Sequence, residues 1–145
     1  MPRPALFNKD FKNAARLASE LSGDPNTQVG AVIVQSNVAV AYGWNSLPDS
    51  VKIVSSRFQK PVKHHWFVHA EENAICTAAR YGRSTNGSDI YVTHRPCAYC
   101  ARKIIQAGIR RVFVDGAGFS KFSITHGSHQ TEIMFKEAGV EMFVV

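Results

Sequence analysis

Two short stretches of this 145-residue chain hold the residue types that bind and use metal ions: His69-Ala70-Glu71, and Pro96-Cys97-Ala98-Tyr99-Cys100. As patterns they read H-x-E and P-C-x-x-C. Two cysteines three positions apart at a helix start can face one ion, and a histidine brought in by another helix completes three ligands of the kind zinc prefers. Three protein ligands leave a fourth position for water, which is the catalytic arrangement, whereas a structural zinc takes four. Zinc in such a site brings the pKa of bound water toward neutrality. Glu71, two positions past His69, is near enough to handle that proton without ligating. The reading is therefore Zn2+ held by His69, Cys97 and Cys100, with Glu71 as general acid and base. Taken alone, C-x-x-C also fits a redox pair or half of a zinc knuckle, and a single histidine is more often structural than a ligand. A first-turn position for both cysteines favours their thiolates, because a helix N-terminus carries partial positive charge.

The elements that must position these residues follow from hydrophobic periodicity. Phe11, Ala14, Ala15, Ala18 and Leu21 recur at helical spacing, and Gly23 and Pro25 supply a stop, so a first helix is expected over 7–22. Residues 29–34 and 38–42 are short apolar runs rich in β-branched side chains and read as a buried hairpin. The stretch 46–66 has two prolines and no sustained period, so a long irregular connection is expected. A helix then starts at or just after His69 and runs to Arg80, a strand covers 89–93, and a helix covers 98–107. A strand at 111–114, a helix at 129–138 and a strand at 140–145 complete the alternation. Helical crossovers imply parallel pairing of the last three strands. The fold class is α/β: a three-layer αβα sandwich around a mixed five-stranded sheet, in one domain over 1–145, with both motifs at helix starts beside carboxyl ends of strands.

Composition narrows the remaining choices. A hydrophobic content of 45% with 19% charged residues excludes a disordered polyelectrolyte and supports one packed core. No run approaches the roughly 20 apolar residues of a membrane helix, and residues 1–10 lack the secretory pattern. A soluble cytoplasmic protein without a membrane partner is expected. Three cysteines with no export signal argue for metal or catalytic use over disulfides. The net charge of +6 suits anionic partners, and also lies within what small domains carry for solubility. Cys76, five past Glu71, is read as a core cysteine, and His64, His65, His126 and His129 as solvated.

H-x-E with P-C-x-x-C is the signature of zinc-dependent nucleobase deaminases, which hydrolyse an exocyclic amine with a glutamate as proton shuttle. Over nearly its whole length the chain also resembles the deoxycytidylate (dCMP) deaminases. That resemblance rests on Asp24-Pro25-Asn26-Thr27-Gln28-Val29-Gly30, Gly43-Trp44-Asn45 with Pro48, His69 to Ile75, Tyr91-Val92-Thr93 with Pro96-Cys97 and Cys100, and Ile105-Gln106-Ala107-Gly108-Ile109. It implies a cytidine deaminase-like fold, conversion of dCMP to dUMP with release of ammonia, a homo-oligomer, often a hexamer, and nucleotide regulation. It also implies substrate contacts from Asn26 and Asn45 to phosphate and sugar, and from the Ala70 amide to the base, with Pro96 beside them. The chain departs from the family pattern in four places, one of them Glu72, where many members carry Leu. It has Gly43-Trp44-Asn45-Ser46 for Gly-Tyr-Asn-Gly, in a region tied to triphosphate effectors. It has His94-Arg95, rim residues or recognition groups, before Pro96 where many members are apolar. Its 52–65 segment is unlike the usual one.

Rival readings share the metal chemistry. A tRNA adenosine deaminase would suit a basic chain, but the basic residues are scattered rather than striped with aromatics, so nucleic acid is not the expected partner and a small nucleotide is. A deaminase of another nucleotide, a nucleoside or a free base needs the same zinc and Glu71. A non-catalytic zinc regulator would have no use for Glu71.

Overall fold

The computed structural model describes residues 5–119 and 127–145; His126 lies outside them. The elements run α1 (Ala5–Ser19), β1 (Gly30–Gln35), β2 (Val38–Trp44), a single 3-10 turn (Ser55–Phe58), α2 (Lys63–Trp66), α3 (Ala70–Arg80), β3 (Asp89–Val92), α4 (Ala98–Gln106), β4 (Arg111–Val114), α5 (Ser128–Ala138) and β5 (Glu141–Val144). The strands form one sheet in the order β2-β1-β3-β4-β5. β1 is antiparallel to both β2 and β3, and β3, β4 and β5 are parallel, as the crossover helices require.

Alternation along each strand divides the core between two faces. Ala31, Ile33, Ile90, Val92, Val112 and Val114 point to the face covered by α3, α4 and α5. Val32, Val34, Tyr91 and Phe113 point to the face covered by α1 through Ala15 and Phe11. On that second face, Phe11, Tyr91, Phe113 and Phe143 make a continuous row of rings with centroids 4.5–5.4 Å apart. The row spans three adjacent parallel strands and binds α1 to them. Arg16 on α1 forks onto Asp115 just past β4, with Nε and Nη2 donating to its two carboxylate oxygens at 2.5 and 2.9 Å.

The hairpin turns on Ser36 and Asn37, whose φ values of 51° and 64° are those of a two-residue turn matched to strand twist. Gly43 is dictated by packing: a Cβ there would stand 2.2 Å from the Ala70 carbonyl oxygen and 2.4 Å from the Ala74 nitrogen. The first turn of α3 therefore lies directly on the backbone of β2. Ala70, Ala74 and Ala78 are fully buried along this seam, where small side chains permit close approach.

Three local expectations are corrected. The first helix spans 5–19, and Leu17 and Leu21 are 65% and 62% exposed, so Leu21 belongs to the turn that follows and not to the buried stripe. Cys76 is exposed, because the buried row on α3 is Ala70, Ala74 and Ala78 and position 76 lies off it. The 46–66 connection is mostly irregular, yet it carries the 3-10 turn and α2 and closes on itself through a bridge between Ser46 and Val68. No helix among the described residues is long and apolar enough to cross a membrane.

Candidate active site

His69 and Cys97 are each the N-cap residue of a helix, of α3 and α4 respectively, with extended backbone (φ −75° in both) before the helix begins. Cys100 is three residues into α4. Two helix N-termini thus converge on one point, and their positive ends favour the thiolate forms of both cysteines. His69 Nδ1 lies 3.5 Å from Cys97 Sγ and 3.3 Å from Cys100 Sγ, and all three ligand atoms fall within 4.8 Å of one another. Among the described residues this is the one cluster of three or more such groups.

The donor set fits zinc. Bond lengths of about 2.3 Å to sulfur and 2.0–2.1 Å to nitrogen at tetrahedral angles place N and S ligands about 3.6 Å apart, close to the separations found. One nitrogen and two sulfurs, with no fourth protein ligand, is an open catalytic-type set.

The electrostatics are consistent with metal binding. Cys97 is held well below the ordinary thiol range, first by hydrogen bonding from Cys100 and then, against the cost of burial, by His69. Cys100 is raised by its bond to Cys97, by burial and by the nearby Glu71 and Cys97 charges. His69 is raised, mainly by its bond to Cys97. Of the two thiols, Cys97 is the one whose thiolate form the surroundings favour.

Glu71, the second residue of α3, is 4% exposed and lies outside the ligand triangle. Burial, followed by the Cys97 charge, raises its pKa to about 6. A carboxyl group tuned toward neutrality can both take and give a proton.

A cleft opens over this cluster. Glu71, Ala70, Asn45, Phe67 and His94 line it with the ligands His69 and Cys97, as do Asp24, Thr27, Lys60, Lys63, His64 and Arg95. The Ala70 N–H is in the first turn of α3, where a backbone donor has no intrahelical acceptor. Asn45 is anchored at both ends of its amide: Oδ1 accepts from Val29 N–H at 2.8 Å and Nδ2 donates to the Thr27 carbonyl at 2.8 Å. Asn26 does not reach this cleft and lines a neighbouring hollow with Pro25, Phe58 and Gln59. Pro96 precedes the ligand turn, and its carbonyl accepts from Thr131 Oγ1 at 3.1 Å.

Several cleft residues carry no motif. Lys63 is 7% exposed and bonds Asp24 Oδ2 at 2.8 Å. Asp24 Oδ1 also caps the backbone N–H groups of Asn26 and Thr27 at 2.8 and 3.4 Å. Burial works against the Asp24 charge, but Lys63 and these N–H donors outweigh it and lower the pKa. His94 is buried rather than on the rim, with Nδ1 3.0 Å from Thr93 Oγ1. Arg95 lies 4.1 Å over the Phe119 ring and pairs with Glu132 at 2.6 Å. Isolated lysines and arginines usually read as surface charge, and nothing in the local sequence around Lys63 signals its burial.

Comparison with known proteins agrees with the fold and with a zinc-binding region. A family model for the cytidine and deoxycytidylate deaminase zinc-binding region matches residues 7–115, and the chain belongs to this family of zinc-binding deaminases. An uncharacterized deaminase in the luxG 3′ region of Aliivibrio fischeri is 41% identical over 135 residues, covering 92% of this chain and 90% of its own. The deoxycytidylate deaminase of Homo sapiens is 33% identical over 137 residues, covering 90% of this chain and 74% of its own. A crystal structure of a dCMP deaminase from cyanophage S-TIM5, in complex with dCMP and dUMP, superposes with a TM-score of 0.83 over 99% of this chain and 100% of that one, at 24% identity, which establishes the shared fold.

Proposed function

We infer that the chain hydrolyses the exocyclic amine of dCMP, giving dUMP and ammonia. The observation that carries the reaction type is the buried Glu71 carboxyl in a cleft that it lines with His69 and Cys97 of the open His69-Cys97-Cys100 set. Similarity to deoxycytidylate deaminases supports the substrate.

The three ligands would hold a zinc ion, which supplies Lewis-acid activation of water. The remaining chemistry belongs to the chain. Glu71 accepts a proton from the water that adds to C4 of the base and delivers it to N3. It then transfers the second water proton to the amino nitrogen, the C4–N bond breaks, and ammonia leaves while C4 becomes a carbonyl. A carboxyl group with a pKa near 6 serves both directions at neutral pH. The Ala70 N–H, at the positive end of α3, meets the base carbonyl. Asn45, fixed by Val29 and Thr27, keeps a lone pair and an N–H for the sugar hydroxyl.

The test is ammonia release by zinc-loaded protein from dCMP, deoxycytidine, dCTP, cytosine and an adenosine-containing RNA hairpin, with Glu71→Ala as control. Preferential turnover of dCMP is expected. Turnover confined to RNA or to a non-phosphorylated substrate would leave the reaction type standing and overturn the substrate.

A further inference from the structure

The two helices that carry the metal ligands meet at more than the ligands. His69 caps α3, Cys100 lies in the first turn of α4, and the two side chains approach to 3.3 Å. Three residues further along each helix stand Glu72 and Lys103, with Lys103 Nζ 2.7 Å from Glu72 Oε2. Positions three apart share a helix face, so the ion pair repeats the His69–Cys100 approach almost one turn deeper across the same seam. The separation of α3 and α4 is thereby held at two rungs, one made by the ligands and one by a carboxylate and an ammonium.

The seating of the two helices gives the second rung its importance. α3 lies on β2 and β1, whereas α4 lies against α5, so any slip between these supports shifts His69 and Glu71 relative to Cys97 and Cys100. The buried side chains along α3 are Ala70, Ala74 and Ala78, and rows of alanine present shallow ridges to a neighbouring helix. A charge-assisted hydrogen bond has a defined length and direction and supplies what that smooth seam lacks. Burial works against the Lys103 ammonium, but Glu72 first, and then the Cys100 and Cys97 charges, outweigh it and raise the pKa. Lys103 therefore stays charged within the field of both sulfurs. A carboxylate in the first turn of a helix is also favoured on its own, and on that ground alone Lys103 would be dispensable. Glu72 is one of the positions where the chain departs from the family pattern, so the pair is a feature of this chain.

We propose that the Glu72–Lys103 pair positions the metal centre: by tying α3 to α4 behind the ligands it keeps His69 in register with Cys97 and Cys100 and slows loss of the ion. Both are positioning residues, since neither belongs to the ligand set or lines the cleft. The proposal rests on the zinc reading of the cluster and is independent of which amine the enzyme removes.

The test is a double-mutant cycle on the full chain: wild type, Glu72→Gln, Lys103→Met and Glu72→Gln/Lys103→Met, with Lys103→Arg as the conservative variant. Zinc release is followed by transfer to excess chromophoric chelator, and ligand geometry by the visible absorption of the cobalt(II)-substituted protein. Each neutralising single variant should release zinc about 3- to 5-fold faster, the size expected of a pair whose side chains are 42% and 27% exposed. The double variant should be no faster than the singles, because the partners act as one unit. The cobalt bands should shift in all three, while Lys103→Arg should match the wild type. Losses that add in the double variant, or an effect of Glu72→Gln with none from Lys103→Met, would overturn the proposal. A lowered melting temperature with unchanged zinc release and cobalt spectra would overturn it as well, assigning the pair to general stability. If the wild type took up neither zinc nor cobalt, the metal reading and this proposal would fall together; wild-type uptake with unchanged variants would sink the proposal alone.

Discussion

Gly43→Ala is a one-carbon change remote from any reacting atom, and the packing makes its effect calculable. The added Cβ would fall about 1.2 Å short of ordinary van der Waals contact with the Ala70 carbonyl oxygen, and about 1 Å short with the Ala74 nitrogen. Both are helix backbone atoms, so no side chain can rotate away. The first turn of α3 has to lift from β2 by roughly an ångström, carrying His69, the Ala70 N–H and Glu71 with it, while Cys97 and Cys100 stay on α4. Overpacking of this kind costs about 1–3 kcal/mol, and each kcal/mol lowers the melting temperature by about 2–4 °C in a chain of this size. Misplacement of a proton carrier by about 1 Å costs on the order of 100-fold in rate. Circular dichroism melting, zinc content and ammonia release from dCMP should therefore show a folded protein, less stable by a few degrees, with turnover reduced far more than stability. A variant within twofold of wild-type activity and within a degree in melting would refute the claim that this contact sets the height of α3.

Other expectations follow from the same geometry. Glu71→Ala should keep stoichiometric zinc by metal analysis and lose turnover; loss of zinc would contradict the division between ligands and proton carrier. Cys97→Ala and Cys100→Ala should lose both metal and activity, whereas Cys76→Ser, at an exposed position on α3, should keep both. Asp24→Asn should destabilise the protein by about 3–5 kcal/mol by leaving the buried Lys63 ammonium unpaired. Because the folded-state pKa of Asp24 is lowered, its stabilisation is fully present above the ordinary carboxylate value of about 4 and is lost as pH falls through the folded value. Denaturation curves of wild type and Asp24→Asn should stay apart between pH 7 and 5 and converge below about pH 4.

Most of the frame could be read from the chain because local and global signals agree. Gly82, Gly108 and Gly139 close helices with positive φ or the turns after them, the β3 and β4 residues alternate between two cores, and both chemical motifs sit at N-caps where their chemistry is favoured. The 55–66 segment was not legible, because a 3-10 turn of four residues and a helix of four are too short to show a period. Lys63 escaped for a different reason: its burial depends on a partner 39 positions away, Asp24, which local sequence cannot show. Cys76 was misassigned because alanines, not larger apolar residues, mark the buried row of α3.

The Ser46–Val68 connection carries Lys60 and Lys63 of the cleft wall, yet it closes on itself through one isolated bridge and is tied to its neighbours by side-chain pairs, Lys63 with Asp24 and Asp49 with Arg80. The ligands and Glu71, in contrast, are mounted on helices packed against the doubly covered strands. Segments with so little regular bonding open at low free energy, while core strands open only with the whole molecule. Amide exchange should accordingly be fast across 50–66 and slow across 30–34 and 89–92. Gentle warming should loosen this wall of the cleft before it disturbs the ligand cluster, so that substrate affinity and metal retention fail at different temperatures in one small protein.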